Sequence, residues 1–220
     1  MTDIKILYSD ESIAVIHKPA GMLSIPGRGT EKSDSAATRL QAAYPGCIEQ
    51  PSVHRLDMDT SGIMIFALTT EAHRSLSIQF QNAEVKKEYT AILEGNPADG
   101  IGESGRIELR FRLDPENRPH QIYDPVQGKT GVTIWKKLGI EADGRSRISF
   151  TPITGRTHQL RLHASHPLGL DCPIAGDRLY GSSSDADHKN GERMMLHACK
   201  IEFTHPGNGA LMKFESPAPF

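Results

Sequence analysis

The stretch from Ser52 to Leu68, SVHRLDMDTSGIMIFAL, constrains the fold more than any other part of the chain. It ends in an apolar run, Ile63 to Leu68, that has no polar alternation and is typical of a strand buried on both faces. Buried charge is costly unless it is paired, so folding alone gives little reason to place two carboxylates, an Arg and a His directly before this strand. The pattern indicates a rigidly held acidic loop, as a catalytic carboxylate requires.

Length and composition favour an ordinary globular protein. The 220 residues are enough for one sizeable domain or for two lobes that share a core, and we expect a single domain over residues 1–220. No apolar run approaches the roughly 18 residues of a membrane span, and the N-terminus lacks the apolar core of a signal peptide. Cys47, Cys172 and Cys199 are isolated, so neither a disulfide framework nor a CxxC metal site is indicated. We therefore expect a cytoplasmic enzyme that does not contact membranes.

Apolar periodicity and turn residues outline the secondary structure. A first helix is expected to be capped by Asp34 and a second to begin at Thr69 or Thr70. Asp143-Gly144 is a good hairpin turn, and the polar segment 182–193 is expected to be a mobile loop. The predicted strands are 4–8, 13–17, 63–68, 86–95, 106–113, 132–138, 147–153, 196–203 and 211–214.

Two fragments suggest chemistry that their surroundings do not support. Gly128-Lys129-Thr130 would end a phosphate-binding loop only with Gly at position 123, where the chain has Tyr123. His158, His163 and His166 are spaced by five and three residues, which does not match the helical zinc pair of HExxH, and no Cys or carboxylate completes a ligand set. We therefore expect no bound nucleoside triphosphate and no metal.

The charge is unevenly distributed. The formal net charge is -2, yet residues 104–161 hold 11 Lys and Arg against 6 Asp and Glu. Such a basic region is able to follow the phosphates of a nucleic acid. A solvated face with a chance excess of basic residues explains the same numbers equally well.

Three motifs resemble those of the RluA-type RNA pseudouridine synthases. The string HRLD at 54–57 with TSG at 60–62 resembles the catalytic motif of this family, and KKEY at 86–89 resembles its second motif. The segment TGRTHQLR at 154–161 closely resembles the third. The resemblance extends over nearly the whole chain, roughly residues 4 to 217.

This resemblance implies a role for three residues. Asp57 corresponds to the catalytic carboxylate, Tyr89 to the aromatic residue beside the target base, and Arg156 to the guanidinium that pairs with the carboxylate. Such a partner keeps a carboxylate ionised and oriented, because Arg donates two parallel hydrogen bonds where Lys presents a point charge.

The resemblance also implies the fold and the partner. It predicts an α+β protein, with the mixed, mainly antiparallel sheet of the pseudouridine synthase catalytic fold, flanking helices and a central RNA-binding cleft. The reaction is an isomerisation without redox or group transfer, so no cofactor is expected, and the partner is RNA. Because the chain begins directly at the catalytic domain, without the S4-like module of many members, we expect a monomer that reads RNA with its own loops.

Several segments resemble the short branch of the family, whose members modify a uridine in large-subunit ribosomal RNA and another in the tRNA anticodon stem-loop. These are SIPGR at 24–28, NRPHQ at 117–121 and the tail from His205. The expected substrate is one or both of these RNAs. The candidates for RNA contacts are Arg28, His54, Arg55, His158 and Arg161.

Two other classes of function remain open. A glycoside hydrolase uses a pair of carboxylates, and Asp57 with Asp59 offers one, although Asp59 also suits a turn-capping role. A catalytically inactive RNA-binding module would retain the basic strands but lose the set formed by Asp57, Tyr89 and Arg156. All three residues are present, which disfavours that alternative.

Overall fold

The computed structural model describes residues 4–97, 101–182 and 193–220. None of the helices in these ranges has the length and apolar character that crossing a bilayer requires. The helices and strands are β1 Lys5–Ser9, β2 Ile13–Lys18, α1 Ala36–Ala43, β3 Ser61–Ala67, α2 Thr70–Gln81, β4 Lys86–Ile92, β5 Ser104–Leu113, β6 Gln121–Tyr123, β7 Lys129–Ile140, β8 Ser146–Pro152, α3 Gln159–Ser165, β9 Leu196–Thr204 and β10 Leu211–Glu215.

The chain divides into two compact units. Unit 1 comprises Met1–Lys87 and His197–Pro219, and unit 2 comprises Glu88–Leu196 with Phe220. Unit 1 is therefore discontinuous in sequence, since its last two strands follow the whole of unit 2. The single domain expected over residues 1–220 stays a prediction. The loop expected at 182–193 lies, apart from its first and last residues, outside the described residues.

The sheet of unit 1 is centred on β3, as the apolar run predicts. All seven residues of β3 are buried. β2 pairs antiparallel with β1 on one side and with β3 on the other, which confirms the first predicted hairpin. β3 also pairs in parallel with β9, and β10 pairs antiparallel with β9. Burial on this scale matters energetically, because each fully buried Ile or Phe contributes about 1.5–3 kcal/mol.

Gly62 allows the parallel contact between β3 and β9. Its φ is 125°, and a Cβ built there would lie 2.4 Å from the carbonyl oxygen of Ala198. A side chain at this position would therefore clash with backbone and would also strain its own φ. Gly62 is opposite Ala198 in the register of the two strands. The Gly that follows Thr60 and Ser61 in the sequence is thus required by a close approach of two strands.

The two helices of unit 1 begin close to their predicted positions. Thr69 caps α2, since its hydroxyl accepts from the backbone N–H of Ala72 at 3.2 Å. At α1 the prediction is off by one residue, because the cap is Ser35 in a reciprocal capping box with Thr38. Asp34 instead forms an ion pair with Arg39.

The sheet of unit 2 is antiparallel. β4 pairs with β8, β8 with β7, β7 with β5, and β5 with β6. The alternation predicted for β5 is seen in Ile107, Leu109 and Phe111, which are buried in the core, whereas Leu113 at the end of the strand is 38% exposed. Together with unit 1, this arrangement confirms the α+β class and the mixed, mainly antiparallel sheet.

Two elements of unit 2 were not anticipated from the sequence. The short strand β6 lies within a segment expected to be a Pro-broken loop, and α3 lies within the third motif. Leu160, Leu162 and Ala164 of α3 belong to the core of unit 2. α3 has only seven residues and carries several polar side chains, so its apolar periodicity is too short to distinguish it from a loop.

His163 on α3 is fully buried, and neither of its ring nitrogens has a hydrogen-bond partner. The ring meets Phe111 edge-on, with 5.8 Å between the ring centroids. Burial, assisted by the nearby His166, lowers the pKa of His163 to about 4. The imidazole is therefore neutral in the folded protein at physiological pH.

Acidification is expected to reduce stability through His163. Its pKa is about 4 when folded and about 6.5 when unfolded, so between these values the unfolded chain binds more protons and stability falls as the pH falls. Between pH 7.5 and 5 the loss is roughly 2 kcal/mol. Urea denaturation of the wild type and of His163→Leu measures it, and the variant should lose less stability by this amount. Equal losses in the two proteins would contradict the assignment.

Candidate active site

Asp57 lies in a tight turn that leads into β3. The backbone N–H of Thr60 donates to the carbonyl oxygen of Asp57 at 3.1 Å, which closes the turn with Met58 and Asp59 at its tip. Met58 is 44% exposed, whereas Asp57 is half-buried. The carboxylate is thus placed at the boundary between the buried strand and the surface, as the sequence predicts.

A buried lysine holds the C-terminal side of this turn. Lys18, at the end of β2, has no exposed surface, and its ammonium donates to the carbonyl oxygens of Pro19 at 2.9 Å, Met22 at 2.7 Å and Met58 at 2.9 Å. The backbone N–H of Gly21 donates to the same Met58 oxygen at 2.9 Å. The residue after Asp57 is therefore fixed by two donors from the segment 18–21.

A serine holds the other side of the turn. The hydroxyl of Ser24 donates to the carbonyl oxygen of Leu56 at 2.6 Å and accepts from the backbone N–H of Leu56 at 3.0 Å. Leu56 and Met58 are the two neighbours of Asp57, so both peptides that flank the carboxylate are anchored. Sequence reasoning missed Lys18 and Ser24. The available signal was a Lys placed directly between a buried apolar strand and Pro19.

His54 supports the turn from below. Its Nε2 accepts from the backbone N–H of Ile65 at 3.0 Å, and its ring stacks on Phe80 at 4.7 Å between the ring centroids. Burial, with a smaller contribution from the positive charge of Lys87, lowers the pKa of His54 to about 3. His54 is therefore neutral and engaged with β3, which makes it part of the framework of the loop.

The start of β3 is anchored to β9 by a buried hydrogen bond. The hydroxyl of Ser61 lies 2.7 Å from Nδ1 of His197, and Nε2 of His197 lies 3.1 Å from the carbonyl oxygen of Ser216. Because a carbonyl only accepts, Nε2 carries the proton and Nδ1 accepts from Ser61. Asp57 is therefore enclosed between anchors at Lys18, Ser24, His54 and Ser61. Arg55 and Arg28, the other basic candidates of unit 1, are exposed.

Tyr89 belongs to unit 2 and lies on β4. It is opposite Phe150 in the register with β8, and its half-buried ring packs against the core of unit 2. Pairing on both the backbone and the ring gives Tyr89 a defined orientation. The structure thus places it on a rigid strand rather than on a loop.

Arg156 lies in the turn before α3, where Gln159 fixes its backbone. The side-chain oxygen of Gln159 accepts from the backbone N–H of Arg156 at 3.0 Å and from the hydroxyl of Thr154 at 2.7 Å. The amide nitrogen of Gln159 donates to the carbonyl oxygen of Val132 on β7 at 3.0 Å. The guanidinium of Arg156 is exposed and lies 3.4 Å from the carbonyl oxygen of Thr130. Gln159 is thus a positioning residue that the sequence analysis did not single out.

Arg161 has a different place from the one expected. It is 4% exposed and forms two hydrogen bonds with the buried carboxylate of Asp177, at 2.7 and 2.6 Å. A guanidinium so enclosed and paired offers no surface to RNA, so we assign Arg161 to the framework of the site. His158, which immediately precedes α3, is half-buried.

Much of the basic region between residues 104 and 161 also serves the protein itself. Six of its cations form ion pairs with carboxylates, and Arg110 donates to three carbonyl oxygens of the loop 125–128. Its other four cations are exposed: Arg118, Lys129, Lys136 and Arg156. The local excess of positive charge thus overstates what is available for phosphates.

The predicted site residues therefore fall into two groups. His54, Arg55 and Asp57 share one loop of unit 1, while Arg156, His158 and Arg161 lie at the start of α3 in unit 2. Tyr89 lies on the first strand of unit 2. The expected pairing of Arg156 with Asp57 stays a prediction.

Comparison with known proteins assigns this fold and these motifs to one class. Residues 12–166 match the model of the RNA pseudouridylate synthase family, so the chain belongs to this family, whose members are isomerases that act on uridine in RNA. The dual-specificity RNA pseudouridine synthase RluA of Escherichia coli (strain K12) is 43% identical over 215 residues, which cover 98% of this chain and 93% of that protein. RluA of Haemophilus influenzae is 41% identical over 217 residues, covering 99% and 94%.

Solved structures agree with the family. Human RNA Pseudouridylate Synthase Domain Containing 1 matches with a TM-score of 0.76 and 29% identity, over 99% of this chain and 84% of that chain. Human RNA Pseudouridylate Synthase Domain Containing 4, which is 23% identical, shares the fold with a TM-score of 0.72 over 98% and 88%. The predicted family, enzyme class and catalytic fold are thereby confirmed.

Replacing Lys18 by Met is expected to loosen the Asp57 turn and to destabilise the protein. A buried carbonyl that loses its donor costs about 1–3 kcal/mol, and three carbonyls contact this ammonium. We therefore expect a loss of at least about 2 kcal/mol in the free energy of unfolding, measured by urea denaturation. Lys5→Met, at an exposed position of β1, is the matched control and should be neutral. Equal stability of the two variants would rule out the anchoring role of Lys18.

Proposed function

We propose that Asp57 is the catalytic carboxylate with which this chain isomerises uridine in RNA to pseudouridine. The observation that carries the proposal is the anchoring of both peptides that flank Asp57, by Ser24 on one side and Lys18 on the other. A reacting group held in a fixed geometry avoids the entropic cost of orientation during the reaction. The family membership of the chain and its HRLD and TSG strings support the same role.

The proposed reaction needs no co-reactant. The bond between C1' of the ribose and N1 of the uracil breaks, the base turns, and C1' bonds to C5. The proton on C5 is then lost, and N1 gains a proton. Asp57 acts as nucleophile or charge stabiliser, either at C6 of the base or at C1' of the sugar.

Tyr89 and Arg156 complete the proposed catalytic set. Arg156 pairs with Asp57 and keeps it ionised, a function for which its forked guanidinium is better suited than a lysine. Tyr89 lies beside the base and assists removal of the C5 proton with its hydroxyl. The position of Tyr89 on a paired strand and the fixation of the Arg156 backbone by Gln159 support these roles.

RNA binding is assigned to exposed and half-buried residues near these groups. A target base inside a stack must be flipped out before it reaches a catalytic residue, and Arg55, which is exposed, fills the space that it leaves. Arg28 and His158 contact the RNA around the site. His54 and Arg161 act indirectly by holding the loops in place. The enzyme is proposed to act as a monomer in the cytoplasm.

Asp57→Asn is expected to abolish isomerisation, because the amide retains the size of the side chain but is not a nucleophile. The rate should fall on the order of a thousandfold or more, measured as tritium release from RNA labelled at C5 of uridine, while affinity for RNA stays within a few fold. Asp59→Asn, at the tip of the same turn, is the matched control.

The assay separates the alternatives. Turnover near the wild-type level in Asp57→Asn would reject Asp57 as the catalytic residue. Free uracil among the products would indicate glycoside hydrolysis by a carboxylate pair.

The proposed substrates are a uridine in large-subunit ribosomal RNA and another in the tRNA anticodon stem-loop. The segments SIPGR and NRPHQ and the C-terminal tail support this assignment, and the bacterial relatives described above are named dual-specificity enzymes. Proteins that recognise RNA by sequence mostly target unstacked loop bases, and a shared loop shape allows one site to accept both molecules.

A strain that lacks this gene is expected to lose one pseudouridine from each RNA, because a single active site modifies both. Mapping by chemical modification measures both positions, and the wild-type gene on a plasmid should restore them. The catalytically inactive Asp57→Asn gene is the control and should restore neither. Loss in neither RNA would reject the substrate assignment, and loss in one would reject dual specificity alone.

A further inference from the structure

Tyr180 lies at the end of a turn that is fixed by a buried ion pair. Oδ1 of Asp177 accepts from the backbone N–H groups of Leu179 at 2.9 Å and Tyr180 at 3.1 Å. The same carboxylate is held by Arg161 through two hydrogen bonds, and both side chains are buried. The backbone of Tyr180 therefore has little freedom, although the residue itself is half-buried.

The ring of Tyr180 is also held on several sides. The guanidinium of Arg161 lies over it, 5.2 Å from the ring centroid, and such a contact is attractive because of the electron density of the ring face. The rings of His120 and His158 meet it edge-on, each with 5.7 Å between centroids. Backbone and ring together leave the hydroxyl of Tyr180 in one place.

That hydroxyl joins two segments of unit 2. Its oxygen accepts from the backbone N–H of Gln121 at 2.7 Å and lies 3.0 Å from Nδ1 of His158. A phenol has one hydrogen to donate. Since the N–H of Gln121 already supplies the hydrogen of the first contact, the hydroxyl hydrogen is directed at Nδ1, which then accepts. A neutral imidazole that accepts at Nδ1 carries its proton at Nε2.

His158 needs such support because of its backbone conformation. Its φ is 54°, in the left-handed region, which a residue with a side chain adopts at a cost and retains only when its surroundings hold it there. It lies two residues after Arg156 and directly before α3. The conformation therefore sets the direction in which the imidazole leaves the chain beside Arg156.

We infer that Tyr180 is a positioning residue for RNA recognition, which fixes the orientation and the Nε2–H tautomer of His158 so that His158 donates to an oxygen atom of the RNA. The inference rests on the proposed function, and it adds a residue that belongs to none of the three motifs. Asp177 and Arg161 support the same arrangement through the backbone and the ring of Tyr180. The buried ion pair thus connects to the RNA through one hydroxyl group and one imidazole.

The tautomer is tested first, without RNA. Nitrogen-15 NMR of the imidazoles in the wild type should show His158 with its proton at Nε2, and the signal is assigned by its absence in His158→Gln. Tyr180→Phe removes the hydroxyl and keeps the ring, so His158 should shift toward a mixture of tautomers. Tyr123→Phe, which removes an exposed hydroxyl of the same unit, should leave the signal unchanged. A proton at Nδ1 in the wild type would overturn the inference.

Binding of a stem-loop RNA is tested next, in the inactive Asp57→Asn background so that no turnover occurs. Loss of one hydrogen bond corresponds to a weakening of about 3- to 10-fold, and this is expected for Tyr180→Phe and for His158→Ala. If Tyr180 acts through His158, the double variant binds no more weakly than His158→Ala alone. Additive losses would overturn the inference, as would wild-type affinity in Tyr180→Phe.

The same experiments keep this inference separate from the proposed function. Thermal unfolding of Tyr180→Phe should match the wild type, because the packed ring is retained. If the variant unfolds instead, His158→Ala decides, since unchanged affinity in that variant overturns the inference. Absence of tritium release by the wild type would reject the proposed function itself. Normal release with unchanged affinity in every variant would reject the role of Tyr180 and His158 alone.

Discussion

The Asp57 turn depends on a positive charge that has been removed from water. An ammonium buried without partners costs several kcal/mol, and Lys18 is retained because three carbonyl oxygens surround it. Carbonyls attract a cation without neutralising it, so the charge gathers the end of β2, the turn after Pro19 and the peptide beyond Asp57 around one point. An ion pair with a carboxylate would have been a less suitable anchor, since it would have placed a competing negative charge near Asp57.

The elements that were predictable from the sequence are those whose own residues determine them. β3 was predictable because six consecutive apolar residues exclude a solvated face, and the cap at Thr69 because its hydroxyl acts on the next turn of the same chain. Ser35 replaced Asp34 as the cap of α1 because both residue types cap helices and their competition is settled by contacts with Thr38 and Arg39. α3 was missed because seven residues hold too little periodicity.

The same distinction applies to the site. The identities of Asp57, Tyr89 and Arg156 followed from motifs, whereas the anchors Lys18, Ser24 and Gln159 act through backbone atoms far away in sequence. Composition gives no sign of such contacts. It also gave a misleading picture of charge, because most cations between residues 104 and 161 hold carboxylates or loop carbonyls. A residue type indicates what a side chain is able to do, and only its neighbours determine whether it does so.

The parallel contact between Gly62 and Ala198 has a consequence for synthesis of the chain. Unit 1 begins at the N-terminus, yet β9 and β10 are made after all of unit 2 except Phe220. Until Ala198 has left the ribosome, β3 has an open edge beside the Asp57 turn, and exposed apolar edges promote aggregation of nascent proteins. Closing this edge requires a contact between residues that are more than half the chain apart, which slows folding. Growing chains therefore pass through a long period in which they depend on chaperones, and the turn that carries Asp57 is completed among the last parts of the enzyme.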